Sequence, residues 1–172
     1  MTEWYTVWKL RFSLSLQDPD VPGVRYHTTI FVETNPTSHF GDLHQVTGDI
    51  TSPQGMRYEK QPRADPYQSH TFHSKEFLGY VQASSYPQAW ETLLASVPTP
   101  PQQKAFNPAT MRTEPFKALN PLTFYGQGEA RPPLIKCTEW TEQRAIPRLQ
   151  AAGLIKDEAT PTAATNDAPN WM

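Results

Sequence analysis

Apolar and polar residues alternate most regularly near the start of the chain. Between Trp4 and Leu16, apolar residues fall at positions 4, 8, 10, 12, 14 and 16, and mainly charged residues and serines lie between them. A period of two is typical of a β-strand that buries one face. This pattern predicts a long first strand with one side against a hydrophobic core.

Four more strands are predicted from β-branched and aromatic residues at 25–34, 42–51, 56–59 and 75–83. A helix is predicted between Ser85, a candidate N-cap, and Val97, because the apolar residues from Trp90 onward share one face. From Pro98 to Pro133 prolines are frequent and periodicity is weak, which indicates a long loop of the kind that often covers a functional site.

A last helix is predicted to begin at Cys137, the single cysteine of the chain. Pro132 and Pro133 keep the approach extended, and Pro147 should kink or break the helix. We therefore expect one α+β domain over residues 1–156, in which a central antiparallel sheet of about five strands packs against the cysteine helix and a second helix. Residues 157–172 have the composition of a flexible tail.

Composition excludes several classes of protein. The 15 basic and 17 acidic residues nearly balance, and no basic run is present, so no nucleic-acid partner is expected. No apolar run is long enough to cross a membrane. The absence of an internal disulfide and of a signal-peptide pattern at the start predicts a cytoplasmic protein.

The candidate chemistry centres on Cys137. A thiol in the first turn of a helix lies near the positive end of the helix dipole, which favours the reactive thiolate, although Glu139 and Glu142 in the same turn would oppose it. Two histidines occupy consecutive predicted strands. The prediction is His27 as general base, His44 as its orienting partner and Cys137 as nucleophile.

Two details of this assignment stay open. The orienting position in such sites also accepts Asn, Gln or Asp, and Gln45 is adjacent to His44. His70 and His73 have the spacing of a metal pair, but no further ligands stand at suitable spacing, so neither a metal nor another cofactor is expected.

The order of these motifs resembles a known group of proteins. A strand histidine followed by apolar residues (His27-Thr-Thr-Ile-Phe-Val-Glu), a second histidine on the next strand (Leu43-His-Gln-Val) and a late Cys137-Thr-Glu-Trp resemble the circularly permuted branch of the NlpC-type papain-like superfamily, which includes lecithin:retinol acyltransferase-like proteins. The resemblance covers roughly residues 25–153. It implies the same roles for His27, His44 and Cys137, and a substrate with an amide, ester or thioester bond.

Three functions follow from these patterns. The first is a cysteine-dependent hydrolase or acyltransferase that acts on a small-molecule or peptide acyl substrate. The second is a catalytically inactive member of the same fold that binds a protein partner through the Pro98–Pro133 loop or the C-terminal tail. The third is a small-molecule carrier, which would need a large apolar cavity without a polar pair at its base.

Overall fold

A five-stranded antiparallel sheet forms the centre of the computed structural model, which describes residues 3–159. The strands are β1 (Trp4–Ser13), β2 (Tyr26–Asn35), β3 (Phe40–Gly48), β4 (Met56–Arg63) and β5 (Phe72–Gln82). Their order across the sheet is β4-β3-β2-β1-β5, so the first strand lies inside the sheet rather than at its edge. The predicted α+β architecture with a central five-stranded sheet is confirmed.

Two helical regions cover one face of the sheet. Helix α1 is Gln88–Ala95, and a continuous helical stretch over residues 137–151, here called the cysteine helix, begins with α2 (Cys137–Glu139) and ends with α3 (Ile146–Ala151). Between them the turns widen to π-helical geometry over Trp140–Ala145. The kink or break expected at Pro147 is replaced by this widening, which accommodates a residue that cannot donate a backbone hydrogen bond.

The start of α1 differs from its prediction. Ser85 ends a 3-10 turn, Ala83–Ser85, and the helix begins three residues later without a side-chain cap. Pro87 precedes the first helical residue and supplies a backbone angle that already suits a helix. The sequence signal at Ser85 therefore marked a turn before the helix rather than its cap.

Apolar residues gather on both faces of the sheet. The main core lies between the sheet and the helices and includes Val7, Ile30, Trp90 and Trp140, all fully buried. A smaller core lies on the opposite face and consists of Leu10, Phe12, Phe31 and Leu43. Because β1 contributes to both cores, the expectation of a single buried face on that strand was wrong.

The segment predicted as a long loop between Pro98 and Pro133 contains a second sheet. Its strands are β6 (Lys104–Asn107), β7 (Arg112–Leu119) and β8 (Leu122–Phe124), paired in the order β6-β7-β8. The strands are short, and Pro115 interrupts the alternation of β7, so no clear period marked them. Gln103, the residue before β6, holds the segment that leads to Cys137 in place. Its side-chain amide donates to the Ile135 carbonyl and accepts from the Ile135 N–H.

The last part of the chain is described only to residue 159. The predicted tail, residues 157–172, therefore lies mostly outside the described residues. Within residues 3–159, the helices are all too short or too polar to span a membrane.

Strands β2 and β3 separate at one end, and this separation positions the candidate site. Their pairing ends at Ile30 and His44, while β2 continues to Tyr26. Tyr26 and Thr28 therefore have no partner on β3, and the first turns of the cysteine helix occupy the gap. Cys137 thereby lies at a break in the sheet and can reach a residue on the far face.

Candidate active site

The first turns of the cysteine helix satisfy the backbone groups that β3 leaves unpaired. The hydroxyl of Thr138 donates to the Tyr26 carbonyl at 3.4 Å, and that of Thr141 donates to the Thr28 carbonyl at 3.3 Å. The thiol of Cys137 also faces the Tyr26 carbonyl, with 3.8 Å between Sγ and the oxygen. Buried backbone acceptors need such partners, so these contacts fix the depth and rotation of the helix start.

Cys137 and His27 are brought together at this gap. His27 Nε2 lies 2.8 Å from Gln45 Oε1, and the imidazole is near enough to the thiol of Cys137 for each group to shift the pKa of the other. An amide oxygen can only accept a hydrogen bond, so Nε2 carries the proton. The neutral imidazole then presents an unprotonated Nδ1, the nitrogen that can take the thiol proton.

The orientation of Gln45 is itself fixed. Its amide nitrogen donates to Glu59 Oε1 at 3.0 Å and to Gln61 Oε1 at 3.3 Å. Because the carboxylate of Glu59 can only accept, the amide NH₂ must face it and Oε1 must face His27. Glu59 thus holds Gln45, and Gln45 selects the tautomer of His27.

The pKa values of the pair move toward each other. Burial alone would raise the pKa of the Cys137 thiol, but the His27 imidazole, the Thr28 N–H and the Thr138 hydroxyl together lower it. Burial alone would lower the pKa of His27, but Cys137, Gln45 and the charge of Glu59 together raise it. Mutual stabilisation of a thiolate and an imidazolium is how cysteine nucleophiles are activated.

His44 does not take part in this arrangement. It is fully buried on the opposite face of the sheet, where Nδ1 and Nε2 each lie 2.7 Å from a tyrosine hydroxyl, those of Tyr58 and Tyr86. Tyr86 in turn donates to Asp42 Oδ2 at 2.7 Å. The role predicted for His44, orienting His27, falls in this structure to its neighbour Gln45.

The two glutamates expected to oppose thiolate formation are paired with arginine or lysine. Arg25 Nη2 lies 2.7 Å from both carboxylate oxygens of Glu139. Glu142 contacts Lys9 at 3.2 Å and Arg11 at 3.0 Å. Nearby opposite charges offset a carboxylate's effect on a neighbouring thiol, so the conflict seen in the sequence is largely removed by cations from β1 and the loop before β2.

Two aspartates anchor that loop beside the cysteine helix. Lys104, only 6% exposed, contacts Asp18 Oδ1 at 2.9 Å and Asp20 Oδ2 at 2.7 Å. Lys136, the residue before the cysteine, contacts Asp18 Oδ2 at 3.1 Å. Burial opposes ionisation of Asp18, but hydrogen bonds from Lys104, the Asp20 backbone and Lys136 lower its pKa to about 2. The loop, the second sheet and the cysteine helix are thereby joined by one ion-pair cluster.

Replacement of Lys104 by methionine should therefore destabilise the protein. Removing one member of a buried ion pair leaves carboxylates with less compensation, which typically costs about 3 kcal/mol. We expect Lys104→Met to lower the urea midpoint of unfolding clearly. Lys117→Met, which removes an ion pair with Glu129 on the surface, is the matched control and should leave the midpoint unchanged. Equal midpoints for the two variants would contradict the structural role of Lys104.

A cavity of about 330 Å³ adjoins the histidine side of the pair. It lies on the sheet face away from the helices, beside the smaller core, and its walls combine apolar and polar groups. The lining residues are Phe12, Ser13, Leu14, His27, Leu43, Gln45, Gln61, Arg63 and Thr71. No residue between Pro98 and Pro133 lines this cavity, so the expectation that this segment would shape the substrate groove does not hold for it.

His70 and His73, which have the spacing of a metal pair, do not form a metal site in the described part of the chain. His73 stacks on Tyr26 with ring centroids 4.2 Å apart, and His70 is exposed in a turn. Among residues 3–159, no group of three or more metal-binding side chains comes together.

The sequence predicted two members of this candidate site and left out two residues that the structure adds to it. Cys137 and His27 were predicted and lie near enough to shift each other's pKa, whereas Gln45 was noted only as a neighbour of His44, and Glu59 was not considered. The alternation of side chains along β3 and β4 is the signal that could have found them, since Gln45 and Glu59 are paired directly across these strands.

Comparison with known proteins assigns the chain to a family but does not supply a function. Residues 14–156 match the model described as "Family of unknown function (DUF6540)", and the chain belongs to this family. The match includes Cys137, His27, Gln45 and Glu59. No curated protein and no solved structure shows a significant match.

Proposed function

We propose that this protein is a cysteine-dependent hydrolase or acyltransferase. The observation that carries the proposal is a series of interactions in which Glu59 orients Gln45, Gln45 orients His27, and His27 lowers the pKa of Cys137. Structural cysteines in a core do not require a histidine of defined tautomer beside the sulfur. A nucleophile requires both the base and the group that orients it.

The reaction would proceed through a covalent intermediate. His27 takes the proton of the Cys137 thiol, and the thiolate forms a bond to the carbonyl carbon of an amide, ester or thioester. The tetrahedral intermediate then expels the leaving group, which takes the proton from the His27 imidazolium. Water or another acceptor attacks the resulting thioester, again with His27 as base. Backbone N–H groups at the start of the cysteine helix, including that of Cys137, are the predicted donors to the oxyanion.

The order of the site residues along the chain supports a relationship to the permuted papain-like superfamily. Histidine precedes cysteine, and the two belong to a strand and to a helix start, as in the group that the sequence resembles. In this proposal Gln45 takes the third position. The leading substrate class remains a small-molecule or peptide acyl compound, and the cytoplasm remains the predicted location.

The experiment that tests the proposal is acylation by p-nitrophenyl acetate. We expect a rapid burst of nitrophenolate equivalent to the enzyme concentration, and an acetyl group on the Cys137 peptide by mass spectrometry. Cys137→Ser should abolish the burst. His70→Ala, a histidine substitution far from the thiol in sequence and exposed, should retain it. A wild-type protein that shows no burst and no acetyl-cysteine would remove the enzyme proposal.

The second candidate is a catalytically inactive member of the same fold that serves as an interaction module. The observation in its favour is the burial of Cys137, which is 8% exposed and already faces the Tyr26 carbonyl. The protein-contact surface predicted between Pro98 and Pro133 stays a prediction, and in the structure this segment exposes Phe106 and Met111. In this case the same acylation experiment gives no adduct.

A further inference from the structure

We infer that the cavity beside His27 binds an elongated acyl compound with an apolar middle and a carboxylate at its far end, which Arg63 recognises. The inference rests on the proposed function for the position of the reacting carbonyl. It adds the chemical class of the substrate, which neither the family match nor the catalytic residues define.

The charge of the cavity wall is the first argument. Arg63 is its one permanently charged lining residue, and none of the lining residues is acidic. Within residues 3–159, the guanidinium of Arg63 has no hydrogen-bond or ion-pair partner, whereas Lys60 on the same strand contacts Glu91. A half-buried guanidinium without a partner, in a concave wall, is suited to a planar anion that accepts two parallel hydrogen bonds.

The apolar lining is the second argument. Phe12 and Leu43 belong to the smaller core, and Leu14 continues this surface beyond the end of β1, where it is 40% exposed. Leu14 therefore contributes an apolar wall rather than core packing. A ligand whose middle section is apolar would cover this surface between the polar ends.

The geometry of β4 gives the spacing. Glu59 pairs directly with Gln45 next to His27, and Arg63 is four residues further along the same strand on the same face. At the usual rise of a β-strand this separation is about 13 Å between backbone positions. Since an arginine side chain can lean back along the strand, the ligand must be a chain of several atoms rather than a compact ion.

The size and charge favour a carboxylate over a phosphate. A cavity of about 330 Å³ is at the small end for ligand pockets. A phosphate monoester carries nearly two negative charges near neutral pH, and one arginine would compensate only part of them. A single carboxylate matches a single guanidinium.

The test compares matched thiol reagents. The long pair is N-iodoacetyl-6-aminohexanoic acid and its primary amide, and the short pair is iodoacetate and iodoacetamide. In each reaction sulfur displaces iodide. The members of the long pair differ only in the terminal charge, whereas those of the short pair differ in the group on the reacting carbon. We expect the long acid to alkylate Cys137 roughly five- to tenfold faster than the long amide, relative to the same ratio with glutathione. The short acid cannot reach Arg63 from the thiol, so the short pair measures only the effect of a carboxylate next to His27 and should show a smaller preference.

Arg63→Gln is the decisive variant. It should reduce the long-pair ratio to that of glutathione by slowing the reaction of the long acid. Arg57→Gln, at an exposed arginine outside the cavity on the same strand, is the matched control and should keep the wild-type ratio. A wild-type ratio equal to that of glutathione, or equal ratios in wild type and Arg63→Gln, would overturn the inference.

A second measurement is independent of thiol chemistry. In ¹⁵N-labelled protein, N-acetyl-6-aminohexanoate should shift the Arg63 Nε–Hε resonance, and its primary amide should not. This shift in a protein whose Cys137 is unreactive would preserve the carboxylate site and remove only the proposed catalysis. Equal responses to both compounds, or none to either, would remove the site.

Discussion

Replacement of His27 by alanine should reduce the alkylation rate of Cys137 by iodoacetamide roughly 30- to 100-fold at pH 6. The reason is that burial alone raises the pKa of this thiol, and His27 is the largest of the groups that lower it. The wild-type rate should therefore fall less steeply between pH 8 and pH 6 than the rate of the variant. The variant's rate should fall about tenfold per pH unit, since only the thiolate reacts.

Two further variants identify which residue orients the imidazole. Gln45→Leu removes the acceptor at 2.8 Å from His27 Nε2 and should lower the rate by an intermediate factor. His44→Gln should leave it unchanged, because both nitrogens of His44 face tyrosines on the other side of the sheet. Stopped-flow rates with mass spectrometry of the Cys137 peptide provide the measurement. A larger loss for His44→Gln than for Gln45→Leu would mean that the orienting role belongs to His44.

The second large effect is a loss of stability in mild acid that depends on His44. Burial, reinforced by the charge of Lys60, lowers the pKa of His44 from its ordinary 6.5 to about 3. Between these pH values His44 is protonated in the unfolded chain but neutral in the folded protein. The free energy of unfolding therefore falls as the pH falls. The loss is about 1.4 kcal/mol per pH unit, or roughly 2.5 kcal/mol between pH 6.5 and pH 4.5.

The comparison of wild type with His44→Gln isolates this contribution. His27 acts in the opposite direction, because its raised pKa adds stability that is fully present below pH 6.5 and is lost as the pH rises from there through the raised pKa. This term is common to both proteins and cancels in their difference. At pH 7 the variant should be the less stable protein, since Tyr58 loses its buried acceptor.

Urea unfolding at pH 7 and pH 4.5 measures the difference. The free energy of unfolding of His44→Gln is expected to be below that of wild type at pH 7. This difference should decrease by roughly 2.5 kcal/mol at pH 4.5. His70→Gln, at an exposed histidine, should follow wild type at both pH values. A difference in free energy of unfolding that stays constant with pH would mean that His44 is not held neutral in the folded state.

Much of the fold could be predicted because its strands carry a local pattern. The five strands of the central sheet and the helix start at Cys137 were expected close to where they lie. The second sheet was not, since its shortest strand, Leu122–Phe124, has only three residues. Short strands are defined by their pairing with distant residues rather than by their own composition.

The site was predictable only in part, because one residue in the β2–β3 hairpin decides which side chain meets His27. A bulge between Glu33 and Asn35 shifts the register of the two strands. Had the Asn35–Phe40 pairing continued without it, Ile30 would face Gln45, and His44 would share the face of His27. A shift of one residue exchanges the faces of a strand. No sequence pattern in the hairpin predicts the bulge.

The gap between β2 and β3 has a consequence for folding during synthesis on the ribosome. The two halves of the site, His27 and Cys137, leave the ribosome 110 residues apart. Until Thr138 and Thr141 emerge, the carbonyls of β2 that they cap have no partner in the chain. An open strand edge of this kind is a place where nascent chains pair wrongly with one another. Completion of the candidate site and protection of the nascent sheet are therefore the same folding event.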